Sequence, residues 1–195
     1  GEQCIAICEN VKKQMVEQFS MNSNSIQVLR NPCQINKSSQ LAKTNFKSIA
    51  LLGRSSGPKG ERIEKIAQHC FHQWLSQFPD LHIDIVAPKP ERFSQTFYNL
   101  LNELNQKYPQ QIKVLGQIQN LTDSLSQYDL NICSGRIAIE SLLSKTPVLA
   151  VGEDQTVGLV SEQTWSQALA SNFGDIDQSS SLNNLNLEKI NTETL

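Results

Sequence analysis

Two short turns hold most of the chemistry that this sequence can do. The first is Gly53-Arg54-Ser55-Ser56-Gly57-Pro58-Lys59-Gly60, set between an apolar run and a helical pattern. Arg54 and Lys59 stand five residues apart in it. Two cations at the mouth of a helix suit a diphosphate, because arginine binds phosphate oxygens bidentately and lysine acts as a point charge. The turn is not a Walker loop, since G-x-x-x-x-G-K-[ST] is absent, and it is not the dinucleotide G-x-G-x-x-G. The competing reading is that both cations are ordinary solvated loop charges.

The second turn is Ser134-Gly135-Arg136, inside DLNICSGRIAIESLLSKTPVLAVG (residues 129–152). The pattern predicts a buried strand over 129–133, a helix over 137–143 and a second buried strand over 147–151. A strand-helix-strand unit of this length favours parallel strands, whose ligands settle at the carboxyl ends, where this turn falls. Gly135 would let the backbone approach a ligand, with the amides at the helix start facing it. Arg136 adds a fixed charge, and Glu140 lies one turn further along the same helix face. Anion-binding backbone beside a carboxylate suits a ligand that carries both phosphate and sugar hydroxyls.

These turns need elements to hold them, and the rest of the pattern supplies them. Residues 4–19 read as a short strand and an amphipathic helix with Val11, Met15, Val16 and Phe19 on one face. A second short strand over 26–29 ends at Asn31-Pro32. From residue 48 onward strands and helices alternate. Strands are expected over 49–52, 83–87 and 112–115, and helices over 61–78, 91–107 and 121–128. The first long helix would bury Ile63, Ile66, Ala67, Cys70, Trp74 and Leu75; the next, Phe93, Phe97, Leu100, Leu101 and Leu104. Such alternation predicts an α/β fold, a Rossmann-like parallel sheet with helices on both faces. Residues 153–158 read as a loop, 159–170 as a helix and 172–175 as a turn. The tail over 178–195 reads as a terminal helix or a frayed end.

Composition narrows the function classes. The chain has 195 residues, 38% of them hydrophobic and 18% charged, with a formal net charge of −2. That charge argues against nucleic acid as a partner, which normally requires a basic excess. No apolar run is long enough to span a bilayer. The five cysteines (Cys4, Cys8, Cys33, Cys70 and Cys133) are odd in number and contain no C-x-x-C pair, which favours reduced thiols in a cytoplasmic protein. His69, Cys70 and His72 cluster on a predicted helix, but packing explains them better than a metal, and no metal site is predicted. A helix start beside Cys133 could lower its pKa, though a nucleophilic role would need a histidine base. Glu153 and Asp154 could approach a ligand from the loop after the last strand, but a solvated acidic loop is the better reading.

In combination the motifs resemble the nucleotide-sugar-binding half of GT-B glycosyltransferases, particularly the group-1 (family 4-like) class. Gly53, Arg54, Lys59 and Gly60 match that class's G-R-x-x-x-x-K-G turn. Glu140 and Pro147-Val148-Leu149-Ala150 match its glutamate-bearing helix and following strand, with Thr146 where a small residue is usual. The opening, IAICENVKKQMVEQF followed by IQVLRNPCQ, looks like the end of the class's N-terminal domain. The stretch GLVSEQTWSQALASNFGD is similar to one bacterial branch, so the resemblance covers roughly residues 3–177.

The resemblance implies a donor-binding domain for a nucleotide-diphosphate sugar such as a UDP-sugar, used in bacterial polysaccharide biosynthesis. Arg54 and Lys59 would hold the diphosphate, supported by the backbone at Gly135 and Arg136. Glu140 would accept ribose hydroxyls, and Gln117 and Ile118 would lie beside the base. No cofactor or metal is implied, because the cations neutralise the leaving group. No catalytic residue is assigned, since Ile132 stands eight residues before Glu140, where many members carry a second glutamate. The implied domains are 1–36 as the end of an N-terminal acceptor domain, 37–47 as linker, 48–177 as the donor domain and 178–195 as tail. Implied partners are the missing N-terminal domain, a sugar or lipid-linked acceptor, and peripheral membrane contact for the parent enzyme. Two other readings stay open: an NDP-sugar epimerase-like domain, which would need acid/base groups in the cleft, and a non-catalytic nucleotide-sugar or protein-binding module.

Overall fold

The apolar runs of the sequence assemble into one sheet with a second, separate pair of strands. The computed structural model describes residues 3–33, 47–153, 155–174, 180–181 and 185–187. Its strands are β1 (Cys4–Ala6), β2 (Ile26–Val28), β3 (Ser48–Leu52), β4 (His82–Val86), β5 (Ile112–Leu115), β6 (Leu130–Cys133), β7 (Val148–Val151), β8 (Gln155–Leu159) and β9 (Ser180–Ser181). The α-helices are α1 (Glu9–Phe19), α2 (Pro58–Ile66), α3 (His72–Gln77), α4 (Gln95–Lys107), α5 (Leu121–Ser124), α6 (Arg136–Leu143) and α7 (Trp165–Ala170). The main sheet has the order β5-β4-β3-β6-β7-β8-β9. Its first five members in that order are parallel, and β8 and β9 are added antiparallel. β1 and β2 form their own parallel pair.

Strand alternation explains the two-sided core. Ile49, Leu51, Ile83 and Ile85 point to one face and pack with Ile63, Trp74, Phe97 and Leu101 from α2, α3 and α4. Ala50, Leu52 and Val86 point to the other and pack with Ala138 of α6, Leu125 and Ala168 of α7. Both faces are covered, as an all-parallel region requires, which is the Rossmann-like layering expected. Each large side chain fully buried in this way contributes about 1.5–3 kcal/mol. Trp74 is fully buried, and its indole N–H donates to the Leu185 carbonyl at 2.9 Å. Asp129 ties β6 to β3: its Oδ2 accepts from the amides of Lys47 and Ser48, each at 2.8 Å.

Several elements differ from the expectation. The long helix after β3 is interrupted by a π-helical turn, Ala67–Phe71, before it continues as α3. α4 starts at Gln95 rather than 91, because Pro90–Arg92 form a 3-10 turn and the Ser94 hydroxyl caps the helix by accepting from the Phe97 amide. The segment read as a loop over 153–158 forms most of β8, and the helix read over 159–170 is only α7. Ser161 and Thr164 close a side-chain-bonded turn in between, with the Ser161 amide donating to Thr164 Oγ1 at 2.9 Å. Phe19, expected on the inner face of α1, is 71% exposed. The N-terminal segment is tied to the main sheet's helices by Arg30, whose Nη1 donates to the Leu169 carbonyl at 2.7 Å. The linker expected over 37–47 lies outside the described residues except for Lys47, as do Asp154, Asp175 and most of the tail. No helix among the described residues is long and apolar enough to cross a membrane.

Candidate functional site: a cationic pocket at the strand ends

The chain leaves β3 towards β4 and β5 on one side, then crosses to β6 and β7 on the other. That reversal opens a crevice between the carboxyl ends of β3 and β6, the place where open α/β sheets bind ligands. A cavity of about 420 Å³ lies there, lined by Leu52, Gly53, Arg54, Lys59, Arg62, Val86, Pro88, Gln117, Ile118, Leu121, Ser134, Arg136 and Ile137. Four of these residues are cations and none is a carboxylate. The cations group on one side, from the turn after β3, from α2 and from α6. Val86, Pro88, Ile118 and Leu121 supply an apolar side with the Gln117 amide among them.

The first turn is built to hold its cations in place. The Ser55 hydroxyl lies 2.6 Å from the Pro88 carbonyl oxygen and 2.7 Å from that of Lys89, which fastens the turn to the loop after β4. Gly57 has φ 64° and ψ −163°, a conformation that only glycine adopts readily, and Pro58 follows at the first helical position. Lys59 is held below the ordinary lysine range, chiefly by burial and then by the charges of Arg62 and Arg54; Glu153 opposes this. A lysine whose charged form is disfavoured gains most when an anion arrives.

Arg62 is the site residue that the sequence reading missed. It is 1% exposed and its guanidinium spans three strand ends. Nη2 donates to the Leu52 carbonyl at 2.9 Å, while Nη1 donates to the Val151 carbonyl at 2.9 Å and to Ser134 Oγ at 3.0 Å. Gly53 makes the room: a Cβ there would sit 2.6 Å from Nη2. An arginine three residues after Lys59, at the edge of an apolar helix face, is the one local signal; its acceptors come from distant parts of the chain.

The second turn departs in part from expectation. Gly135 has φ 64°, as a close backbone approach requires, but its N–H donates to the Asn172 carbonyl at 2.9 Å and so is occupied. Arg136 lines the cavity and also pairs with Glu140, with Nε 3.2 Å from Oε1. Glu140 itself is 8% exposed and is not among the lining residues, so it meets the pocket through Arg136. Arg54, Lys59, Arg136, Gln117 and Ile118 are thus brought to one cavity, with Gly135 and Glu140 just behind it. Cys133 corrects a second expectation. It is completely buried, and desolvation pushes its thiol up to about 12, against the opposing effects of Arg62 and Ser141. Cys70 sits in the core away from the exposed His69 and His72, and no cluster of metal-ligating side chains occurs among the described residues.

No family model matches the chain, and no curated protein shows significant similarity to it. Solved structures do match at the level of fold. A Staphylococcus aureus TarM mutant in complex with fondaparinux, alpha-GlcNAc-glycerol and UDP aligns with TM-score 0.58 at 15% identity, over 75% of this chain and 29% of that one. A glycosyltransferase from Rickettsia africae aligns with TM-score 0.58 at 18% identity, over 77% and 44% of the two chains. Anabaena HepE in complex with UDP-glucose aligns with TM-score 0.56 at 18% identity, over 77% and 45%. The chain therefore spans less than half the length of each of these three proteins, and it has the GT-B-like α/β fold of part of them.

Proposed function

We propose that this chain is the donor-binding part of a glycosyltransferase that uses a nucleotide-diphosphate sugar. The observation that carries the reading is the convergence of Arg54, Lys59, Arg62 and Arg136 on one cavity that has an apolar opposite side. A nucleoside diphosphate matches both halves: its phosphates need cations, and its base needs apolar walls with an amide for edge recognition. Gln117 and Ile118 would take the base side, and Glu140, behind the cavity, would serve ribose recognition by orienting Arg136. With the Gly135 amide occupied, the backbone part of phosphate recognition at this turn would fall to Arg136, beside the cationic side chains. As the bond from the sugar's anomeric carbon to phosphate oxygen breaks, its electron pair stays with the diphosphate. Arg54 and Lys59 would stabilise the charge that develops there. The structures solved with UDP or UDP-glucose share this fold, which supports the choice of ligand class.

The domain reading continues from this. Residues 48–177 act as the donor domain and 1–36 as the end of an acceptor-binding domain, whose closure over the pocket would supply proximity and exclude water. Its support is that β1 and β2 form a sheet apart from the main one, with Ile5 and Leu29 exposed as a packing face for further structure.

Calorimetric titration with UDP, GDP and their sugars tests the reading. We expect one nucleotide to bind in the micromolar to millimolar range, and Arg54→Ala and Glu140→Ala each to weaken it. A folded wild-type chain that binds neither nucleotide would refute the site.

A further inference from the structure

We propose that Ser134 is a phosphate-binding residue of this pocket and that Arg62 is the positioning residue that presets its hydroxyl. The inference rests on the reading that the pocket takes a nucleoside diphosphate; it gives a role to Ser134, which the second turn contains without one, and adds Arg62, which neither turn contains. Arginine has donors only, so at the 3.0 Å contact between Arg62 Nη1 and Ser134 Oγ the serine oxygen must be the acceptor. The direction of that bond fixes what the hydroxyl has left to offer, which is its hydrogen. Among the described residues no acceptor takes that hydrogen, and Ser134 lines the cavity. A hydroxyl whose oxygen already accepts from a cation is a stronger donor. The acceptor it awaits is anionic, because Arg54, Lys59 and Arg136 line the same cavity.

Arg62 is fixed for this task. Two backbone carbonyls, those of Leu52 and Val151, hold its fork across the strand ends. Gly53 keeps the space beside Nη2 open, where a Cβ would approach to 2.6 Å. The guanidinium therefore needs no ordering when a ligand arrives, unlike the exposed Arg54 and Arg136 side chains. Burial also separates its role from theirs: Arg62 acts on the ligand through Ser134 and through its field.

The test is titration of the 195-residue chain with UDP, GDP and inorganic pyrophosphate, in Ser134→Ala, Ser134→Thr and Arg62→Lys variants. A hydrogen bond to a charged group implies a loss of about tenfold or more in Ser134→Ala, for pyrophosphate as well as for the nucleotide. Ser134→Thr keeps the hydroxyl and should restore affinity to within about threefold, a rescue that a purely structural serine would not show. Arg62→Lys keeps the charge but loses the planar fork, and adding Ser134→Ala to it should cost nothing more. Thermal unfolding of the free Ser134→Ala chain should stay close to that of the wild type. Wild-type binding left unchanged by Ser134→Ala overturns this inference alone. A folded wild-type chain that takes up neither nucleotide nor pyrophosphate overturns this inference and the donor-site reading together.

Discussion

Gly60→Ala tests how the first anion-binding turn is held. A Cβ at Gly60 would lie 2.6 Å from the carbonyl carbon of Ser55 and 2.7 Å from its carbonyl oxygen. Non-bonded carbons rest about 3.5–4.0 Å apart, so the turn and the helix start must separate by roughly 1 Å. No side-chain rotation relieves this, because both obstacles are backbone atoms. Ser55 cannot retreat freely either. It is buried, with its hydroxyl lodged against the Pro88 and Lys89 carbonyls. Overpacking of this kind costs about 1–3 kcal/mol, and a disturbed Ser55 hydrogen bond adds about 1. For a chain of this size each kcal/mol shifts the midpoint by about 2–4 °C, so Tm should fall by about 5–15 °C. Differential scanning calorimetry of Gly60→Ala beside Gly116→Ala reads the effect directly. Nothing lies within 4 Å of a Cβ at Gly116, and its variant should unfold within about 2 °C of the wild type. Equal midpoints for the two variants would refute the close contact between the helix start at Gly60 and the Ser55 backbone.

Two further predictions concern titration and reactivity. Burial, then Arg62 and Arg54, lower the pKa of Lys59 from its ordinary 10.5, so in the window just below that value the unfolded chain binds more protons and the Lys59 contribution to stability rises with pH. A bound diphosphate reverses the shift. Calorimetry in that window, in two buffers of different ionisation heat, should show proton uptake that Lys59→Met abolishes; identical heats in both buffers would remove Lys59 from the site. A disulfide reagent should label Cys4 and Cys33 in the native chain and reach Cys8, Cys70 and Cys133 only in denaturant. Rapid native labelling of Cys133, located by mass spectrometry, would contradict its burial and the raised thiol pKa.

What the sequence shows of this protein is what its local chemistry decides. Runs such as Ile49-Ala50-Leu51-Leu52 and Val148-Leu149-Ala150-Val151 read as strands because both faces are buried and no polar residue interrupts them. Arg54 and Lys59 stood out for a similar reason: a cationic turn before a helix is complete within eight residues. β8 was hidden because Gln155 and Gly158 leave Thr156 and Val157 too short a strand-favouring run to stand out, and pairing with β7 decides the matter. Thr156 Oγ1 donates to the Ala150 carbonyl at 2.7 Å and accepts from the Gly158 amide at 2.9 Å, which pins that register across a bulge. Arg62 was hidden for a stronger reason. Its acceptors stand at residues 52, 134 and 151, so a helix-edge arginine becomes a buried staple only when β3, β6 and β7 meet. The Gly135 amide follows the same rule, since the Asn172 carbonyl that occupies it is brought back by α7. Groups that could touch the ligand are therefore legible in short motifs, while the groups that orient them exist only in the assembled sheet. A substitution scan confined to the two turns would accordingly reach Arg54, Lys59 and Ser134 and pass over Arg62 and Asn172, on which the arrangement of those groups depends.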